Sequence, residues 1–376
     1  MENIREELIK SAKRVVIKIG STVLASKEGI NQSRIDSLAE EISNIDKEVV
    51  IVSSGAIAAG MGRLSLVERP KEIKMKQAVA AVGQSRLMWA YEKSFETYGK
   101  KVAQVLLTRE DLSERRRYLY ARNTIETLIG LGVIPVINEN DTVAVDEIKF
   151  GDNDTLAVIV TNLLQAGLLL ILSDVDGLYT SDPRSNSDAR LIDLVTDITS
   201  QIEAIAGKSS TIEGTGGMFS KVQAAKKASA MGVSSAIING TKPGSIRGFF
   251  EYKNIGTLFS TGKNRLSLRK HWIAYTARSK GILTIDEGAK RAILTKGKSL
   301  LPSGITEIEG RFGVGDAVSC QDESGKKIAK GIINYSAEDL KKIKGVRSSE
   351  IETILGYKYD DEVIHRDNMV ILEGKS

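Results

Sequence analysis

The stretch Gly132–Asp154, GVIPVINENDTVAVDEIKFGDND, decides how this chain is read. It opens with Val133–Ile137, a short apolar run of the kind shown by a strand buried on both faces. The run stops at Asn138-Glu139-Asn140-Asp141. A second polar cluster, Gly151-Asp152-Asn153-Asp154, stands before a helical segment, Thr155–Leu164. Asn, Asp and Gly are ordinary turn formers, so either cluster alone reads as a turn. Two clusters, each against an apolar element, place carboxylates and amides where open α/β sheets collect ligands, beyond the carboxyl ends of strands.

The same grammar recurs on both sides. Arg14–Ile19, RVVIKI, reads as a buried strand that runs into Gly20-Ser21-Thr22. Lys18 lies inside it. On an edge strand the ammonium would reach water; inside a sheet it needs an anion. The Gly-Ser-Thr that follows favours the anion, since backbone amides and a lysine together cradle phosphate. Glu48–Val52 is the next strand, ending in Ser53-Ser54-Gly55-Ala56 and a small-residue helix start that lets a ligand or another helix approach closely. Helices are expected over Asn31–Asn44, Lys74–Tyr98 and Glu110–Leu131, with a strand over Val102–Leu107. Gly167–Leu172 leads into Ser173-Asp174-Val175-Asp176-Gly177. A helical stretch around Asp197–Ala206 precedes Gly214-Thr215-Gly216-Gly217-Met218-Phe219-Ser220-Lys221, where a helix is expected from Lys221 to Met231. Those glycines free the backbone to curl its amides around an anion, though the spacing is not the Walker pattern. Ser234–Asn239 and Gly256–Ser260 are the last strands of this part. The alternation predicts an α/β three-layer sandwich with a mostly parallel central sheet. From Lys280 the pattern changes to short strands separated by Gly, Pro and Ser, a small β-rich domain. The expected boundaries are a first domain at 1–262, a linker at 263–278, the β-rich domain at 279–357 and a tail at 358–376.

Composition narrows the function classes. The 376 residues, 41% apolar and 27% charged, fit a soluble globular protein with room for two domains. The net charge of +5 is mild and fits nucleic acid or anionic small molecules alike. Between Lys280 and Lys344 there are 12 Lys/Arg against 9 Asp/Glu, too balanced for an RNA-binding stripe. The only cysteine is Cys320, so no disulfide forms within the chain, which suits a reducing compartment. The opening MENIREELIKSAKR has no apolar signal core, and Gly167–Leu172 is too short to span a bilayer. A cytoplasmic protein without membrane contact is expected. The only histidines are His271 and His365, which excludes histidine acid–base chemistry and His-rich metal sites from the first two-thirds. A dinucleotide-dependent dehydrogenase would need GxGxxG after the first strand, and IGSTVLAS does not supply it.

Taken together, VVIKIG, IVSSGAIAAGMG, PVINENDTV, FGDNDTLA, LSDVDGLYTSDPR and GTGGMFSK resemble the amino acid kinase family. LTIDEGAKRAI, LLPSGI and GRFGVGDAV resemble a PUA domain. The resemblance implies ATP-dependent phosphorylation of the side-chain carboxylate of L-glutamate, the first step towards proline. Kinases of the same fold acting on aspartate, acetylglutamate, carbamate or a nucleotide are the alternative. It further implies Mg²⁺ carried by ATP with no protein metal ligand assigned, feedback inhibition by proline, and a homo-oligomer, dimer or tetramer. RNA binding by the PUA-like domain is the less favoured use of that appendage. By the same resemblance Lys18 meets the nucleotide phosphates, and Ser54, Asp141 and Asn153 are glutamate-binding positions. Ser173 and Asp174 contact the nucleotide, as does the loop Thr215, Gly216, Gly217, Met218, Phe219, Ser220 and Lys221. Asp154 and Lys221, with Lys18, support the transferring phosphoryl group. Two positions depart from the family pattern. Ser173 stands where some members have threonine, an exchange of one hydroxyl for another. Phe219 stands where a small or polar residue is common.

The chemistry agrees with these residues. A side-chain carboxylate, with an unperturbed pKa of roughly 4.3, is already an anionic nucleophile at neutral pH. No general base is needed. The obstacle is repulsion between two anions, which positive charge and positioning must overcome. Asp154 is expected to hold the two lysines in place. Asp141 can pair with the α-ammonium of glutamate, while Ser54 and Asn153 can bond its carboxylate or backbone-like groups.

Overall fold

The structure is a computed structural model that describes residues 2–26, 29–143, 153–208, 217–261, 273–274 and 277–372. Two compact units emerge, Met1–Leu112 with Arg116–Arg265, and Leu266–Ser376 with Ser113–Arg115.

In the first unit the strands are β1 (Arg14–Ile19), a short hairpin of β2 (Ala25–Ser26) and β3 (Gly29–Ile30), β4 (Glu48–Ser53), β5 (Lys101–Leu107), β6 (Val133–Glu139), β7 (Leu168–Ser173), β8 (Leu194–Val195), β9 (Ser234–Asn239) and β10 (Thr257–Phe259). The helices are α1 (Glu2–Ser11), α2 (Ser21–Leu24), α3 (Gln32–Ser43), α4 (Ala56–Arg63), α5 (Ile73–Glu96), α6 (Arg109–Ser113), α7 (Arg115–Gly130), α8 (Asn153–Leu163), α9 (Ser200–Lys208), α10 (Met218–Ala230) and α11 (Ser245–Phe250). Eight strands form one sheet in the order β5-β6-β4-β1-β7-β9-β10-β8. All neighbours are parallel except β10 against β9. β7 and β9 are buried along their whole length, as the continuous apolar runs require.

β1 sits between β4 and β7, with Lys18 opposite Val52 and Ile171. The edge-strand alternative for Lys18 is therefore excluded. Side chains alternate across the sheet. Val15, Ile17 and Ile19 join a core with Ile35 and Leu38 of α3 and Leu87 and Tyr91 of α5. Lys18 belongs to the other face, against which α8 packs.

The start of α4 is set by close backbone packing. A Cβ on Gly83 of α5 would lie 1.7 Å from the Ala56 carbonyl oxygen, and one on Gly60 of α4 would lie 1.9 Å from that of Val79. Only hydrogen fits at either crossing, so the two helices meet backbone to backbone. Gly55, with φ of 106°, turns the chain from β4 into α4. No described helix is long and apolar enough to cross a membrane.

The second unit holds a five-stranded sheet, β12 (Ile305–Gly310), β11 (Ser279–Ile285), β13 (Ala317–Gln321), β14 (Lys327–Ile332) and β15 (Met369–Ile371), in that order. The β-rich domain expected from the sequence is found, and helices Glu287–Lys296 and Ala337–Ile343, which the sequence reading did not name, complete its core. Their caps are local: Asp286 accepts from Ala289 N at 2.7 Å, and Ser336 Oγ from Asp339 N at 3.1 Å. Both helices are too short for apolar periodicity to announce them. Residues of the 358–376 segment also take part in this core. Val363 and Ile364 are fully buried and β15 pairs with β14, because this polar-looking end carries just enough apolar residues to close the core. Cys320 is a core residue whose thiol burial pushes up to about 12, outside any thiolate chemistry.

Candidate active site

The carboxyl ends of β1, β4, β6, β7 and β9 open onto one edge of the first unit's sheet. Ser54, Asn138 and Ser173 stand there as their strands give out, and Asn153 and Asp154 begin α8 beside them. A cleft of about 550 Å³ lies along this edge, lined by Lys18, Ser54, Asp141, Asn153, Ser173, Asp174, Gly217, Met218 and Lys221 among others. Phe219 is half exposed and Ser220 lies behind, facing Asp154. Thr215 and Gly216 fall outside the described residues.

Asp154 is the electrostatic centre. It is fully buried on the first turn of α8, and Lys18 and Lys221 are nearly so. Lys18 Nζ lies 2.5 Å from Asp154 Oδ1, and Lys221 Nζ lies 3.9 Å from Oδ2. Ser220 Oγ donates to Oδ2 at 2.8 Å. Burial alone would push the Asp154 carboxyl up; the Lys18 and Lys221 charges and the Ser220 hydroxyl outweigh it and hold the carboxyl below its usual range. Two cations and one anion leave a net positive charge in a nearly dry corner of the cleft, where it acts most strongly on a bound anion.

Asn153 builds a second corner. Its Nδ2 reaches the Ser53 carbonyl oxygen at 2.9 Å, Ser54 Oγ at 2.9 Å and Asn138 Oδ1 at 3.0 Å. Asn138 Oδ1 also accepts from Glu139 N at 2.9 Å. One amide thus ties the ends of β4 and β6 to the first turn of α8. Behind it, the Tyr91 hydroxyl and Ser53 Oγ lie 2.9 Å apart in the core. Burial pushes the Tyr91 phenol up, so it stays a neutral hydrogen-bonding group. Asp141 lines the cleft from the turn after β6.

At the β7 and β9 end, Ser173 Oγ donates to Asp174 Oδ1 at 3.2 Å. Asp176 Oδ1 accepts from Asn239 Nδ2 at 2.9 Å and pairs with Lys242 at 2.6 Å. Burial would raise the Asp176 carboxyl, but these partners lower it. Among the described residues no group of three or more His, Cys, Asp or Glu is arranged to hold a metal ion. With both Asp154 oxygens engaged by cations and a hydroxyl, a divalent ion here would be carried on ligand phosphates.

Two helix boundaries differ from the sequence expectation. Asn153 and Asp154 belong to α8, not to a preceding loop, and Met218–Lys221 already lie in α10. Within these first turns Asn153 Nδ2 reaches Ser54 Oγ and Ser220 Oγ donates to Asp154 Oδ2. Asn138, Asp176, Asn239, Lys242 and the Tyr91–Ser53 pair are the positions that sequence reasoning did not single out as site residues. Asn138 stood in the polar cluster after β6. Asn239 ends its strand as Ser173 ends β7, and that placement was the signal available.

Comparison with known proteins follows the same division. The amino acid kinase family model matches residues 13–239, and the PUA domain model matches 281–355. The chain is 53% identical over 372 residues to the glutamate 5-kinase of Geobacter metallireducens, covering 98% of this chain and 100% of the relative. It is 51% identical over 372 residues to that of Geobacter sulfurreducens, with the same coverage. It is 50% identical over 364 residues to that of Caldanaerobacter subterraneus subsp. tengcongensis, covering 96% and 98%.

Proposed function

The chain belongs to the glutamate 5-kinases of the amino acid kinase family, and we propose that its cleft carries out ATP-dependent phosphorylation of the side-chain carboxylate of L-glutamate. The product is L-glutamyl 5-phosphate, at the entry to proline biosynthesis. One carboxylate oxygen attacks the γ-phosphorus; the new O–P bond forms as the bond to the β-phosphate oxygen breaks, and ADP leaves. No proton changes hands.

The observation that carries this reading is the buried Lys18–Asp154–Lys221 cluster in the cleft wall. Two cations fixed by one shared carboxylate offset the repulsion between acceptor and nucleotide. Because they are held before the substrates arrive, they need little reorganisation. Asp154 is a positioning residue, and its depressed pKa makes it a poor base. Lys18 and Lys221 act on the phosphoryl group. Mg²⁺ carried on the ATP phosphates would supply further neutralisation of their charge, beside Lys18 and Lys221. Asp141, Ser54 and Asn153 hold glutamate, with the Asn153 amide tying their corner together. Ser173, Asp174 and the segment Thr215–Lys221 hold the nucleotide. Homo-oligomerisation and inhibition by proline belong to the same proposal, and are read by sedimentation and by titrating proline into the assay.

The test is ADP release from Mg-ATP with and without L-glutamate, with hydroxylamine trapping the acyl phosphate as a hydroxamate. Glutamate-dependent ADP and hydroxamate in equal amounts support the reading. Turnover with aspartate or N-acetylglutamate in preference to glutamate refutes it.

A further inference from the structure

Among the described residues, the cationic side chains lining the cleft are Lys18, Arg69, Arg184 and Lys221. Three have established partners. Lys18 and Lys221 share Asp154. Arg184 holds Asp182 through two contacts, at 3.0 and 2.8 Å. Arg69 has no hydrogen-bond or ion-pair partner among the described residues.

Arg69 lies on the connection between α4 and α5. That connection is anchored where it leaves α4, by Leu66 N donating to the Met61 carbonyl oxygen at 2.9 Å. Arg69 is followed by Pro70, which restricts its backbone to extended conformations. Arg69 therefore lines the cleft from a segment tethered at its α4 end.

A free α-amino acid brings an α-carboxylate to this cleft as well as an α-ammonium. Buried Glu139 and partly exposed Asp141 line it beside the neutral Ser54, Asn138 and Asn153. Asp141 suits the α-ammonium; the α-carboxylate of the same acceptor calls for a cation. Arginine meets a carboxylate with two parallel N–H donors, a geometry lysine lacks.

We propose that Arg69 receives the α-carboxylate of the acceptor and so selects a free α-amino acid over one whose α-carboxyl is blocked. This rests on the glutamate kinase reading above. The test compares wild type, Arg69→Ala and Arg69→Lys by three quantities: KM for L-glutamate, KM for ATP, and the competitive inhibition constant of the α-amide of L-glutamate, which keeps the ammonium and side chain but lacks the α-carboxylate. Losing a hydrogen-bonded charge partner costs about 1.5–3 kcal/mol, so Arg69→Ala should raise the glutamate KM roughly 10- to 150-fold. The ATP KM and the α-amide constant should stay within about threefold, and Arg69→Lys should fall between. The proposal is overturned if the glutamate KM is unchanged, or if glutamate and its α-amide weaken equally, as a structural role would require. A wild type without glutamate-dependent ADP release would sink the kinase reading itself, and this assignment with it.

Discussion

Lys18 Nζ and Asp154 Oδ1 lie 2.5 Å apart, one on the central strand β1 and the other on the first turn of α8, with almost no exposure of either side chain. The pair joins the sheet to the helix above it and leaves the cleft with a positive wall.

Asp154→Asn keeps the shape and removes the anion, leaving Lys18 and Lys221 buried together. Breaking such a buried pair costs roughly 3–5 kcal/mol, measurable by denaturant unfolding, and turnover should fall at least about 100-fold. The folded-state pKa of Asp154 is depressed. Its stabilisation is therefore fully present above the unfolded-state value of about 3.9 and is lost as pH falls through the folded value. The stability gap between wild type and variant should be constant from neutral pH down to about pH 5 and shrink only in more acid solution. A gap that closes between pH 7 and 6 would show that another group controls it.

Asn153→Ala unties Ser54 from Asn138 while leaving the lysines untouched. The glutamate KM should rise roughly 10- to 100-fold, the size of a lost hydrogen bond to a charged group plus the loosened corner. The ATP KM should change little. Equal increases in both constants would place Asn153 outside the acceptor corner.

A reaction without a general base leaves a kinetic signature. The turnover number should show no rising limb between pH 6 and 8, and its solvent deuterium isotope effect should be close to one. An isotope effect of about two or more on the chemical step would mean that a proton moves there.

Gly83→Ala sets a methyl group 1.7 Å from the Ala56 carbonyl oxygen, which α4 can relieve only by moving away from α5. A loss of about 1–3 kcal/mol or more is expected, with a raised glutamate KM because Ala56 follows the Ser54–Gly55 turn. Gly130→Ala, at the end of α7 with open space around it, is the control and should be neutral or slightly stabilising. Similar melting temperatures for the two variants would show that the crossing is looser than its geometry implies.

Much of the site was legible because it follows strand ends. Lys18 stood out as a charge inside RVVIKI, and Ser54 and Ser173 each stand where an apolar strand gives out. Less was legible where distant segments supply the partner. Tyr91 reaches Ser53 across 38 residues and Asn239 reaches Asp176 across 63, and no local pattern encodes either pairing. Helix starts were misplaced for the same reason: Asn153 and Asp154 look like turn residues until Ser54 and Lys18 satisfy them. In the second unit, helices of 10 and 7 residues offered caps but too little periodicity.

The most direct measurement is steady-state kinetics of Lys221→Ala beside wild type, with L-glutamate and Mg-ATP varied in turn. If fixed positive charge drives phosphoryl transfer, the turnover number falls by roughly two to three orders of magnitude while the glutamate KM stays within a few-fold. An unchanged turnover number, or a loss carried entirely by the glutamate KM, would contradict it.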